Sequence, residues 1–144
     1  MYLNKKRIVI PDNELRFGYL YTAMDGLKDI KDCHTAFITK SKKDYMVMKK
    51  IFPTVCAVQN EGAGCFSEEN IQYILDNSEK QILSFDSDEV GVKNSISITN
   101  KYGFEYCNVP RKYLSEGIND WADLAKVHGL KIIEEYLINK SILK

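Results

Sequence analysis

Apolar and polar positions along this chain change their rhythm part-way. Residues 7–10 (Arg-Ile-Val-Ile) and 15–21 (Leu-Arg-Phe-Gly-Tyr-Leu-Tyr) are short apolar runs on either side of Pro11-Asp12-Asn13. They predict two strands joined by a turn, a short N-terminal β-hairpin. Asp25-Gly26 marks a further turn. From about residue 35 strands alternate with helices, which predicts an α/β fold with a parallel sheet of four strands.

Thr35–Thr39 is the first strand of that series. Ser41 then opens a helix with Asp44 three residues later, close to a capping box. Val47, Met48 and Ile51 give this helix a buried stripe, and Pro53 ends it. Val55–Val58 is the next strand, followed by a glycine-containing loop over 60–64. Ser67 caps a second helix with Glu68 and Glu69 in its first turn and Ile71, Ile74 and Leu75 facing inward. Residues 82–85 are the third strand. Ser95–Thr99 alternates like a strand, but a crossover to a parallel neighbour needs a helix, so 89–100 is predicted helical. Phe104–Val109 is the fourth strand, stopped by Pro110. Asn119 caps a helix that buries Trp121, Leu124 and Ala125. Gly129 interrupts it, and a last helix carries Ile132, Ile133, Tyr136 and Leu137.

The chain's 144 residues suit a single core, and 44% apolar with 28% charged residues is a globular composition. No apolar run reaches transmembrane length and no secretory signal opens the sequence. Lysines and arginines balance aspartates and glutamates, so overall charge does not announce a nucleic-acid binder. The distribution is less even. Lys5, Lys6 and Arg7 cluster near the start, Lys40, Lys42, Lys43, Lys49 and Lys50 form a second basic group, and acid gathers at Asp76, Glu79, Asp86, Asp88 and Glu89. Such polarity guides a phosphate toward a metal, although most charge clusters are solvated faces. Cys33, Cys56, Cys65 and Cys107 lack C-x-x-C spacing, which excludes a zinc ribbon and predicts reduced thiols in the cytoplasm. His34 and His128, the two histidines, support neither a metal pair nor a Ser–His–Asp triad.

The chemistry concentrates in Ile82-Leu83-Ser84-Phe85-Asp86-Ser87-Asp88-Glu89-Val90-Gly91. An apolar strand ends in two carboxylates spaced i, i+2. At the carboxyl end of a parallel strand, where open α/β sheets bind ligands, the exit turn can aim both at one point. Two carboxylates so held repel unless a cation lies between them, and magnesium binds through one or two carboxylates plus waters and substrate phosphates. Asp-Ser-Asp is equally good N-cap and turn chemistry, and spacing alone does not separate the two readings. A calcium loop fails: counted from Asp86, the fifth position is Val90 and the twelfth is Ser97, where a bidentate Glu is required.

With Phe85–Gly91 as its strongest motif, the order of elements over about 35–137 resembles the Toprim domain of bacterial and phage DNA primases, topoisomerases and some nucleases. Asn119-Asp120, followed by a helix ending at His128-Gly129, resembles the Lys-Asp segment of phage primase–helicases. Ile38-Thr39-Lys40-Ser41-Lys42-Lys43-Asp44 stands where the family has strand–Glu–Gly–x–x–Asp. Lys40 therefore replaces the usual glutamate and Ser41 the usual glycine, while Asp44 keeps the acid one turn into the helix. This Lys-Ser-x-Lys-Asp pattern is similar to a variant found in phage primase-type proteins. Leu15–Tyr21 resembles the strand pair preceding the Toprim module in phage primases.

The resemblance implies a Toprim-like (Rossmann-like) fold over 34–144, with 1–33 a remnant of the primase basic subdomain. It implies magnesium- or manganese-dependent nucleotidyl or phosphoryl transfer on nucleic acid, namely RNA primer synthesis in a phage-type replisome. Asp86 and Asp88 would hold metal, with Asp120 or Asp44 completing the shell. Lys40 and Lys42 would contact phosphates, and Glu61 is the candidate to stand in for the missing carboxylate. Single-stranded DNA template, nucleoside triphosphates and a helicase or other replisome protein are the implied partners, in the host cytoplasm if the chain is phage-encoded, with no membrane role. The alternatives are a degenerate, non-catalytic Toprim subunit that binds nucleic acid or a replisome protein, and a Toprim nuclease. Neither the zinc-binding template reader nor a Gly-x-x-x-x-Gly-Lys-Ser/Thr motor segment is present in the sequence.

Overall fold

The computed structural model describes residues 15–16, 19–20, 23–59 and 65–143. Two two-residue strands, β1 (Leu15–Arg16) and β2 (Tyr19–Leu20), pair antiparallel with Leu15 opposite Leu20. The 15–21 run thus pairs within itself and is not one strand. Its expected partner at 7–10 and the turn at 11–13 lie outside the described residues, as does the 60–64 loop with Glu61.

The main sheet holds β3 (Cys33–Lys40), β4 (Val55–Val58), β5 (Ser78–Ser84) and β6 (Glu105–Tyr106) in the order β4-β3-β5-β6, all parallel. Helices α1 (Lys42–Lys49), α2 (Glu68–Asn77), α3 (Glu89–Tyr102), α4 (Trp121–His128) and α5 (Leu130–Asn139) cover it. Burial on both faces explains the near-continuous apolar strands. Side chains alternate along each strand into two cores. Ala36, Ile38, Cys56, Val58, Leu83 and Phe85 face α2 and α3, joined by Ile71, Ile74 and Phe104. Phe37, Val55 and Ile82 face α1, α4 and α5, where they meet Met48, Trp121, Leu124, Ile133 and Leu137.

Several elements depart from the sequence expectation. β5 starts at Ser78, four residues early, because Cys33 and Thr35 of β3 pair with Ser78 and Lys80; pairing overrides a polar run of weak strand propensity. The fourth strand shrinks to Glu105–Tyr106. Past it, the side chain of Asn108 takes the Phe85 N–H (2.8 Å) and the Ser84 hydroxyl donates to the Cys107 carbonyl (2.6 Å), so side chains replace part of the ladder. Leu75 is 39% exposed, since Ile71 and Ile74 already fill the inward stripe of α2. The helix at 89–102 forms as expected, and Gly103 ends it in a left-handed conformation (φ 79°).

Chain order places the reversal of strand order between β3 and β5: the chain goes from β3 outward to β4, then back across to β5 on the other side, with every strand still parallel. At such a switch point the loops leave in opposite directions and open a crevice at the carboxyl edge.

Candidate active site

Lys40 closes β3 and Asp86 follows β5, so both stand at the switch point. The Lys40 ammonium lies 2.7 Å from Oδ2 of Asp86. Asp86 is 6% exposed, and its Oδ1 is buried with no hydrogen-bond partner among the described residues. Burial raises the Asp86 carboxyl above the ordinary aspartate range, against the pull of Lys40.

Sequence dictates the shape of this turn. Gly91 lies against it so closely that a Cβ there would meet the Asp86 carbonyl oxygen at 2.3 Å. Asp88 caps α3: its Oδ1 accepts from the Gly91 N–H (2.8 Å) and its Oδ2 from the Asn119 amide (3.2 Å). The Ser87 N–H donates to the Asn119 carbonyl (2.9 Å), which ties the turn to the segment before α4. Asn108 donates to the Asp86 carbonyl (3.3 Å) and contacts the buried Ser95 hydroxyl of α3.

The turn after β3 is built differently. Ser41 has φ 71° and ψ 155°, a region that is essentially glycine's. Its hydroxyl caps α1 through the Asp44 N–H at 3.4 Å, a long bond. Asp44 is 1% exposed, and its Oδ1 accepts from Ala122 N–H (2.9 Å) at the start of α4. Burial, with Asp120 and Asp86 nearby, pushes its carboxyl up to about 7. Asp120, not Asn119, is the N-cap of α4, accepting from the Asp123 N–H (2.7 Å); the backbone becomes helical only after it, which leaves Asn119 one residue outside and free to reach Asp88. The other oxygen of Asp120 is 2.9 Å from the Lys43 ammonium.

Asp86, Asp88, Lys40, Asp44 and Asp120 therefore come together at one crevice. Lys42 points elsewhere, its ammonium 3.6 Å from Asp25. Lys43, Asn108, Ser84, Ser95 and Asn119 were missed as site supports. The i+1 spacing from Lys42 gave Lys43 no distinction, and Asn108 follows a strand read as regular. Among the described residues no three carboxylate, imidazole or thiol groups gather as a metal shell. The residues still fit one magnesium ion, because that ion needs only one or two carboxylates and keeps its waters. The buried Oδ1 of Asp86, without a hydrogen-bond partner among the described residues, is a ligand atom of the right hardness.

The sequence matches no family model and no curated protein. Solved structures are more informative. The catalytic domain of DnaG primase bound to single-stranded DNA superposes with a TM-score of 0.59 at 12% identity, over 83% of this chain and 39% of that one. The Aquifex aeolicus primase, comprising its zinc-binding and RNA polymerase domains, gives 0.59 at 17% identity, over 86% of this chain and 31% of that one. The chain shares its parallel α/β fold with part of these primases. It spans less than two-fifths of the length of these primases, so the fold is what they share. Among the described residues no helix is long and apolar enough to cross a membrane.

Proposed function

We propose that this chain is the Toprim module of a primase-type nucleotidyltransferase, acting with magnesium or manganese on single-stranded DNA and nucleoside triphosphates. One observation carries the reading: at the switch point of a primase-type fold, a buried aspartate keeps one oxygen without a partner among the described residues while a lysine holds the other. The metal, when bound, supplies a Lewis acid for triphosphate oxygens. Asp86 offers it Oδ1. Lys40 places a positive charge at the same rim, where a transferred phosphate would arrive. Asp88 and Asn119 fix the turn that aims Asp86. Asp44 and Asp120 hold the start of α4 beside it, with Lys43 balancing Asp120. A helicase or other replisome protein is the expected partner.

The test is Asp86→Asn in the full-length protein. Primer synthesis from nucleoside triphosphates on single-stranded DNA should vanish while the far-ultraviolet circular dichroism stays that of the wild type. A variant that primes at the wild-type rate would sink the assignment.

A second reading is a non-catalytic module that keeps the fold and binds nucleic acid or a replisome partner. It is favoured by Asp88, both of whose oxygens are taken by N–H groups, and by the lysine on Asp86. It predicts that Asp86→Asn/Asp88→Asn retains DNA affinity and that the wild type shows no magnesium-dependent synthesis.

A further inference from the structure

Every described carboxylate at this crevice has its oxygens largely assigned. Asp88 gives both to N–H groups, Asp120 gives one to the Asp123 N–H and one to Lys43, Asp44 gives Oδ1 to the Ala122 N–H, and Asp86 gives Oδ2 to Lys40. The oxygen left over is Oδ1 of Asp86, on a side chain only 9% exposed. A two-metal site clamps both the attacking and the leaving oxygens with two ions about 4 Å apart. Such a pair needs carboxylates that can reach each ion. Here an ammonium already sits at hydrogen-bond distance on the second oxygen of the carboxylate whose buried Oδ1 lacks a partner among the described residues.

We propose that Lys40 takes the place of one of two metal ions, so that the site binds a single divalent cation on Oδ1 of Asp86 while the ammonium stays on Oδ2 as a fixed second positive charge. The inference rests on the metal-dependent reading above. The physics is that of charge at short range. A lysine carries one unit of charge on a compact ammonium with three donors, enough to meet a phosphate oxygen as a point charge. Unlike a metal ion it cannot dissociate, so no second ion has to be recruited from solution. It also repels a divalent ion from the same carboxylate, which sets the affinity of the ion that does bind. The Lys40 side chain is 24% exposed and that of Asp86 9%, so the pair is largely withdrawn from solvent.

Manganese provides a probe that does not depend on activity. The full-length wild type, Asp86→Asn, Lys40→Met and Lys40→Arg are titrated with Mn(II) at pH 8 by calorimetry, with bound ions counted by electron paramagnetic resonance. The wild type should bind one ion that Asp86→Asn abolishes. Lys40→Met should bind about tenfold tighter, with room for a second ion, because the competing charge is gone. Lys40→Arg should keep the wild-type stoichiometry, and circular dichroism reports whether each variant is folded. Two Asp86-dependent ions of similar affinity in the wild type, or an unchanged isotherm in a folded Lys40→Met, would overturn the role of Lys40 and leave the metal-dependent reading standing. A wild type that takes up no Asp86-dependent ion would overturn both.

Discussion

The turns that leave β3 and β5 do the same architectural job with opposite means. Each ends a buried parallel strand, each starts a helix with a side-chain cap, and they face each other across the switch point. After β5 the backbone is relaxed: Asp88 caps α3 from an extended conformation (φ −72°, ψ 172°), and a glycine comes three residues later to let the helix approach. After β3 the backbone is strained at Ser41, the cap is long, and the strand ends in a cation. One turn is shaped by small residues and hydrogen bonds, the other by charge. The Lys40–Asp86 contact is where the two meet, and the lesson is that the site's electrostatics are carried by a pair of turns and not by either acidic motif alone.

The largest effect that would sharpen this contrast concerns Asp44, which links the β3 turn to α4. An aspartate whose carboxyl is raised to about 7 in the folded state keeps its proton longer there than in the unfolded chain. The folded state therefore binds more protons between about pH 4 and 7, and its contribution to stability falls as pH rises through that window. Asp44→Asn keeps an oxygen for the Ala122 N–H and cannot ionise. It should be more stable than the wild type at pH 8, by up to roughly 4 kcal/mol, and equal near pH 4. Urea melts of both proteins at pH 4.5, 6 and 8 measure the difference, and a gap that does not widen with pH would remove Asp44 as a strained buried acid.

Next comes the relaxed turn. Gly91→Ala puts a Cβ 2.3 Å from the Asp86 carbonyl oxygen, 2.9 Å from its carbon and 3.1 Å from its own Cβ. Two of these are backbone atoms that do not swing aside, so stability should fall by about 2–3 kcal/mol. Thermal unfolding checks this, and a melting temperature equal to that of the wild type would mean that the turn is looser than its geometry implies. The smallest effect belongs to the strained turn. Ser41→Gly removes the φ 71° penalty and loses only a 3.4 Å cap, so a gain of about 1 kcal/mol is expected in denaturant titration. A loss instead would show that the cap outweighs the strain and that the two turns differ less than they look.

Much of the fold was legible because its signals are local. Ser67 caps α2 (its hydroxyl accepts from the Asn70 N–H at 3.1 Å), Gly129 breaks α4 from α5, and Val55–Val58 is a strand to the residue. The helical choice for 89–100 came from the topology a parallel neighbour demands and not from the residues themselves. The errors came where a partner decides. The Ser78 start of β5 needs β3 beside it, and the early end of β6 needs Asn108 and Ser84 to compete for the ladder. Asp86 and Asp88 could be singled out from spacing, yet spacing could not say that they would take different parts: Asp88 a cap with both oxygens filled, Asp86 a buried acid with one oxygen unpartnered among the described residues.

Alternating apolar runs, caps and breakers, all read within a few residues, determined by themselves that this chain makes a parallel α/β sheet and where its acids lie relative to strand ends. Tertiary structure alone decided that Lys40 and Asp86, 46 residues apart, share a contact. It also decided that Asp44 is sealed under α4 and that Lys42 turns away to Asp25. The reason is range. Helix caps and strand alternation arise from neighbours in sequence, whereas burial and charge pairing depend on which strands lie side by side, and only the order β4-β3-β5-β6 sets that.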